Sequence, residues 1–145
     1  MKLLGSIILI LNSFSVIAEE FIALNTVSYH FDRTHAKKLN EVNAGVGYEN
    51  EKGSTRNMFG VYKNSFRRTT IYALRGYSIV KSENNSVGIV GGLTTGYVGT
   101  VSPAVGGIFT VQFGSVGLNI TAVPPVEIRG HKLRGFAALQ LRFRL

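Results

Sequence analysis

From Leu133 to Leu145 the sequence alternates without a break. Leu133, Gly135, Ala137, Leu139, Leu141, Phe143 and Leu145 share one parity, while Arg134, Phe136, Ala138, Gln140, Arg142 and Arg144 share the other. A period of two puts successive side chains on opposite faces of an extended strand. The same pattern recurs after Asn40, where Val42, Ala44, Val46 and Tyr48 oppose Glu41, Asn43, Gly45, Gly47 and Glu49. Further strands are expected near 21–30, 56–66, 69–80, 86–97, 104–113 and 116–123. They are separated by turn-forming links such as Asn50–Thr55, Lys81–Asn85 and Gly114-Ser115. The chain thus reads as all-β, with eight strands of about the 9–11 residues that cross a bilayer when tilted. No segment sustains a helical period.

The start of the chain reads differently. Met1-Lys2 is followed by an apolar run from Leu3 to Leu11, then by Val16-Ile17-Ala18 and Glu19-Glu20. This is the pattern of a secretory signal peptide, residues 1–18, with cleavage expected after Ala18. The run is too short for the ~20 residues of a spanning helix. An exported chain of alternating strands, 19–145, can close as a soluble barrel or sandwich with apolar residues inside. It can also close as a membrane barrel with the sense inverted. The last strand favours the second, since it resembles the assembly signal on outer-membrane barrels. The expected fold is therefore an eight-stranded antiparallel transmembrane β-barrel in the outer membrane of a Gram-negative bacterium. With no Trp in the chain, Tyr29, Tyr48, Tyr77 and Tyr97 are expected to form the interfacial girdle.

Composition narrows the function classes. The 145 residues contain no Cys, which excludes a disulfide scaffold and a Cys-based zinc site. There are 16 Lys and Arg against 8 Asp and Glu, yet the charges are scattered over loops and no nucleic-acid-binding motif accompanies them. His30, His35 and His131 lack metal-ligand spacing, and no phosphate-cradling glycine motif is present. No metal, cofactor or nucleic acid is expected. The 17 glycines stand well above the ~7% norm. In 86–97, Gly88, Val90, Gly92, Thr94 and Gly96 share the parity opposite Val87, Ile89, Leu93 and Tyr97. Inward Gly and Thr would leave part of a small barrel unfilled; alternatively, the glycines relieve twist or mark bulges.

A periplasmic N-terminus sends the first strand outward to end near His30, with an outer loop at 31–39. The third strand ends near Asn64-Ser65, before a second outer loop at Arg67-Arg68. His30 and Ser65 thereby fall at one rim. A simple hairpin through 50–55 would bring Glu41 near Asn64 and Asn43 near Tyr62. As inward polar groups these three, Glu41, Asn43 and Tyr62, need partners in the lumen.

An ordered set of short motifs spans residues 29–145: Tyr29-His30, Arg33, Asn40-Glu41, Gly60-Val61-Tyr62, Lys63-Asn64-Ser65, Gly76 and Pro124. In these the sequence resembles the outer-membrane lipid A palmitoyltransferase (PagP) family. The resemblance implies an enzyme that moves a palmitoyl chain from a glycerophospholipid to lipid A. Its catalytic positions match His30 and Ser65, with Asn64 where the family carries Asp. Gly76 matches the floor of the acyl pocket, and Pro124 a proline beside a lateral opening.

Three departures accompany the match. The acidic residue is missing at Asn64, so Asp32 and Glu41 are the carboxylates left to support His30. The family's amphipathic N-terminal helix is absent from the pattern, and Gly107 stands at a second gate proline. Acyl transfer to a hydroxyl needs a base and donors for an oxyanion. His30 is expected as the base, with Ser65 positioning the reacting groups or donating to the oxyanion and Asn64 orienting neighbours. Arg67 and Arg68, with Lys37 and Lys38, are expected to meet lipid phosphates. The expected partners are membrane lipids, and the expected state is a monomer. The alternative is a non-catalytic barrel of the same shape, acting in surface interaction, exclusion or envelope stability.

Overall fold

The computed structural model describes residues 17–97, 99–128 and 130–145. The expected leader lies outside these residues, apart from its last two positions. Eight strands follow: β1 (Glu19–His30), β2 (Val42–Lys52), β3 (Thr55–Lys63), β4 (Thr69–Lys81), β5 (Asn85–Thr95), β6 (Val101–Phe113), β7 (Val116–Ile128) and β8 (His131–Arg144). A single-turn helix, α1 (Arg33–Ala36), interrupts the first loop, its start capped by Asp32 accepting from the Thr34 amide. Every strand pairs antiparallel with its sequence neighbours, and β1 also pairs with β8 to close the barrel. One end carries short turns, such as Gly53-Ser54 and Gly114-Ser115. The other carries the longer connections, and is termed the loop rim below.

The two faces divide as the alternation requires, with the apolar parity outside. Val46, Phe59, Ile71, Ile89, Leu93, Val105 and Phe109 are exposed, whereas Glu49, Arg56, Asn119, Gln140 and Arg142 are buried in the lumen. Outward apolar and inward polar residues are the arrangement of a barrel solvated by lipid.

The turn half of the lumen is closed by ionic contacts. Glu49 Oε1 lies 3.1 Å from Arg56 Nη1 and 2.8 Å from Arg142 Nη1. Arg142 also reaches Glu51 Oε2 at 2.9 Å and Gln112 Oε1 at 2.8 Å, and Asn119 donates to Glu49 Oε2 at 2.8 Å. Two buried guanidinium groups thus face two buried carboxylates, which offsets the desolvation that any one of them would suffer alone.

β6 and β7 depart from a regular ladder. Their register runs from Phe113–Val116 to Gly107–Ala122 and, among the described residues, does not continue towards the loop rim. Pro103, Pro124 and Pro125, the three prolines of the chain, all lie beyond that point. Proline has no N–H to donate, so a stretch carrying it resists zipping into a central ladder. β7 nonetheless extends to Ile128, beyond the expected end at 123, because no β6 ladder there calls for the missing N–H. β7 remains paired with β8 there, and only its β6 side is open.

A few of the glycines admit side chains. A Cβ at Gly60 would lie within 2.7 Å of three atoms of the Tyr72 ring and hydroxyl, and one at Gly47 would lie 2.2 Å from the same hydroxyl. Gly47 and Gly60 thus make room for Tyr72 as it crosses the lumen, whereas a Cβ at Gly88, Gly92 or Gly106 would first meet the backbone of a neighbouring strand. Of the tyrosines expected in the girdle, Tyr29 and Tyr77 are exposed outside. The Tyr48 hydroxyl donates to Glu20 at 2.7 Å. Tyr97 is a correction: Gly96 takes a φ of +79°, which ends the alternation of β5 and turns Tyr97 into the lumen.

Candidate active site

The site begins with a bulge. Asn25 pairs with Gln140 and Val27 with Leu139, so Thr26 is an extra residue against β8. Its hydroxyl donates to the Leu139 carbonyl at 2.8 Å. Below Thr26, Phe21 and Ala23 are the buried residues of β1; above it, Ser28 and His30 are buried and Val27 and Tyr29 face out. The bulge switches the parity of β1 and aims His30 into the barrel.

At the loop rim His30 joins two residues from other segments. Its Nε2 is 2.9 Å from Ser65 Oγ. Its Nδ1 is 3.3 Å from Glu41 Oε1, which also accepts the His30 backbone N–H at 3.0 Å and Arg33 Nη1 at 2.7 Å. The His30 amide, and then the Arg33 guanidinium, hold the Glu41 carboxyl down at about 2. An ionised carboxylate only accepts, so Nδ1 carries the hydrogen towards Glu41. That leaves Nε2 as an acceptor for the Ser65 hydroxyl. Phe136 packs on the imidazole with ring centroids 5.7 Å apart. Ser65, His30 and Glu41 thus form a hydroxyl–imidazole–carboxylate relay of the kind that activates a serine. Asp32 lies elsewhere, paired with Arg134 and His35.

Asn64 is buried one residue away and holds the loop that carries Ser65. Its Nδ2 donates to Thr70 Oγ1 at 3.0 Å and to the Gly96 carbonyl at 2.9 Å, while its Oδ1 accepts the amides of Phe66 and Arg68. Asn40 completes the clamp. Its N–H donates to the Ser65 carbonyl at 2.8 Å, and its Nδ2 to the carbonyls of Val42 and Asn64.

Below the relay the barrel opens into an apolar cavity of about 380 Å³, within the range of small-molecule sites. Ser65 lies on its wall. Met58, Tyr72 and Val90 pack together beneath it, and Gln140 donates to the Tyr72 hydroxyl at 3.1 Å. The ion-paired Glu49, Arg56 and Arg142 lie lower still. Val105, Gly106 and Val126 line the side where β6 and β7 part.

The other expected residues fall as follows. Gly76 does not line the cavity: it sits opposite Arg56, and a Cβ there would meet Arg56 Cγ at 2.7 Å. Pro124 is exposed on β7, on the stretch free of β6. Arg67 and Arg68 are exposed on the loop after Ser65. Glu41, Asn43 and Tyr62 do not form one network. Glu41 serves His30, Asn43 Nδ2 donates to the Lys63 carbonyl at 2.9 Å, and the Tyr62 hydroxyl meets that of Tyr97 at 2.6 Å. The register accounts for this, because a two-residue turn pairs Gly45, rather than Asn43, with Tyr62.

These features define a class: a closed, eight-stranded antiparallel β-barrel of the transmembrane kind, with polar residues in the lumen and a cavity near one rim. The fold is similar to that of a structure from the de novo design of transmembrane β-barrels. The identity is 13% and the TM-score 0.64, over 88% of this chain and 95% of the other. It is also similar to the solution NMR structure of the de novo designed TMB2.3, at 15% identity and a TM-score of 0.59, over 88% of this chain and 93% of that one. No protein-family model and no curated protein sequence matches the chain.

Proposed function

We propose that this barrel sits in the outer membrane of a Gram-negative bacterium with its loop rim outward, as a divergent member of the lipid A palmitoyltransferase family. There it transfers an acyl chain, palmitoyl on the family resemblance, from a glycerophospholipid to lipid A. The observation that carries the reading is the Ser65–His30–Glu41 relay at the mouth of an apolar cavity. The missing acidic residue at Asn64 is replaced in this reading by Glu41, which reaches His30 from the opposite side.

The chemistry follows from the hydrogen bonds. His30 Nε2 takes the Ser65 proton as Oγ attacks the ester carbonyl of a phospholipid whose acyl chain lies in the cavity. The proton then passes to the departing lysophospholipid oxygen, leaving the acyl group on Ser65. A lipid A hydroxyl repeats the sequence, with His30 again as base, and regenerates the serine. Glu41 keeps the imidazole in the right tautomer and stabilises its protonated form; a positioned base of this kind contributes roughly 10²–10⁴-fold. The opening between β6 and β7, flanked by Pro124, offers a lateral route for the chain from the bilayer. Arg67 and Arg68 stand where lipid phosphates would lie.

Mass spectrometry of lipid A from cells expressing the protein tests this. Wild type adds one acyl mass, and His30→Ala and Ser65→Ala add none while still inserting in the outer membrane. Lipid A without the added mass in wild-type cells under envelope stress would favour the non-catalytic barrel.

A further inference from the structure

β4 carries a charge in the middle of its lipid face. The strand runs from Thr69 to Lys81, and Arg75 is its central residue, with Ile71, Ala73, Tyr77 and Ile79 on the same exposed parity. The other arginines of the described strands meet carboxylates: Arg56 and Arg142 pair with Glu49, Arg134 with Asp32 and Arg144 with Glu19. Arg75 has no side-chain partner among the described residues, and neither has Asn57, which stands opposite it on β3. Side chains paired in this way on one face lie about 4.5–5.5 Å apart at Cβ. The same row continues through Asn50 on β2 to Glu20, near the start of β1. Barrel strands tilt, so a ladder row crosses the wall obliquely, and this one descends from the middle of β4 to the turn rim. On the other side Arg75 faces Gly91 of β5, where a Cβ would meet nothing closer than the Ala104 carbonyl at 3.4 Å. Packing does not require that glycine, and it leaves a notch beside Arg75.

An arginine amid lipid chains is among the costliest residues on a barrel's outer face, so its place there calls for an anion. A second copy cannot supply one. Barrels inserted in the same direction associate about an axis normal to the membrane, so each residue meets the partner at its own depth. Of the eight acidic residues, Glu49 and Glu51 are in the lumen and the rest lie at strand ends or in the connections. We infer that Arg75, with Asn57, binds the phosphate of a glycerophospholipid from the leaflet on the turn side, drawn up the polar row to the notch at Gly91. The guanidinium fork matches two phosphate oxygens, and the Asn57 amide supplies a further donor. The site holds this lipid against the outer wall, apart from the cavity. It rests on the placement of the barrel in a bilayer and not on acyl transfer.

Because the chain contains no Trp, a single introduced one reports on a single wall. Ala73→Trp places it next to Arg75 on β4, and Ile120→Trp on β7 is the control. The refolded full-length barrel is placed in vesicles that mix phosphatidylglycerol with brominated chains and an unbrominated, phosphate-free diacyl glycolipid. Quenching then gives the relative affinity of the two lipids at each wall. At Ala73→Trp the phospholipid is expected to be preferred about tenfold, the ratio that one net charged hydrogen bond gives at the least. At Ile120→Trp the ratio should be near one. Adding Arg75→Leu, an apolar change on an apolar face, should bring the first ratio to one, and inorganic phosphate in the buffer should leave it unchanged. The same ratio at both walls, a preference that survives Arg75→Leu, or one erased by inorganic phosphate each overturns the site. An Ala73→Trp reporter shielded from quenching altogether would mean that protein covers this wall, and overturns it too.

Discussion

Asn64 shows how one side chain can be read for a role it does not play. Both hydrogens of its amide are committed, to Thr70 Oγ1 and to the Gly96 carbonyl. A carboxylate there would set negative charge against two oxygens. Asn64→Asp is therefore expected to lower stability by about 1–3 kcal/mol, the scale of a buried group left unpaired, and to bring no gain in acyl transfer. Heat-induced unfolding of the refolded barrel, followed by gel mobility, measures the first; lipid A analysis measures the second. Glu41 behaves differently. Its carboxyl is held at about 2 by the His30 amide and Arg33, against an ordinary 4.5. A lowered native pKa contributes stability that is fully present above the unfolded value and is lost as pH falls through the native one. The stability gap between wild type and Glu41→Gln should stay constant from pH 8 to about 5, then shrink between about 4.5 and 2. A gap that closes near neutrality would mean that Glu41 is not held as described. In activity, the same variant should lose up to about 10⁴-fold, the scale seen when a triad loses its carboxylate.

At the scale of elements, β1 matters most for the chemistry, and its decisive feature is its parity above Thr26. Deleting Thr26 leaves Asn25 and Val27 on the neighbouring β8 partners Gln140 and Leu139, so Ser28 and His30 keep their inward parity and acyl transfer is expected to persist. One residue inserted between Val27 and Ser28 instead turns His30 outward if the lower half keeps its register, and is expected to abolish acyl transfer even in molecules that still insert and resist heat-induced unfolding. Full activity in the insertion variant would show that strand parity does not set the orientation of His30.

The strands themselves were legible because lipid and lumen impose opposite polarity on alternate residues, and β2 and β8 carry that contrast strongly. His30 and Ser65 at one rim followed from counting strands. The choice between Asp32 and Glu41 as the partner of His30 did not, because Glu41 reaches it through a register set by the Gly53-Ser54 turn and a loop whose path is not periodic. β7 runs past its expected end at 123, and it carries Pro124-Pro125 where β6 offers no ladder to disrupt. The glycines were half legible. Their parity was plain, but that Gly60 admits Tyr72 depends on a side chain crossing from β4. Gly60→Ala is accordingly expected to destabilise the barrel by about 1–3 kcal/mol through overpacking, and Tyr72→Leu in the same chain should return part of it. Additive losses in the pair would mean that the two do not share this space.

For the whole molecule, the two halves of the lumen do separate work. The turn half is filled by Glu49, Glu51, Arg56 and Arg142, whose charges cancel and whose hydrogen bonds tie β2, β3 and β8 together. Removing one member strands the others, so Arg142→Met should cost about 3–5 kcal/mol, the penalty for an unpaired buried charge. The loop half is left open above this floor, with the relay at its mouth and a side door where β6 and β7 part. An ion-paired base thus holds the cavity walls, while the relay sits at the end of β1 and on loops clamped by Asn40 and Asn64.

In the proposed function Ser65 and His30 pass an acyl group between lipids. The direct measurement uses the purified barrel in detergent with a phospholipid donor and lipid A as acceptor, following lysophospholipid and acylated lipid A by mass spectrometry. Wild type should form both in equal amounts, and Ser65→Ala neither. Neither product from folded wild-type protein, or undiminished transfer by Ser65→Ala, would contradict it.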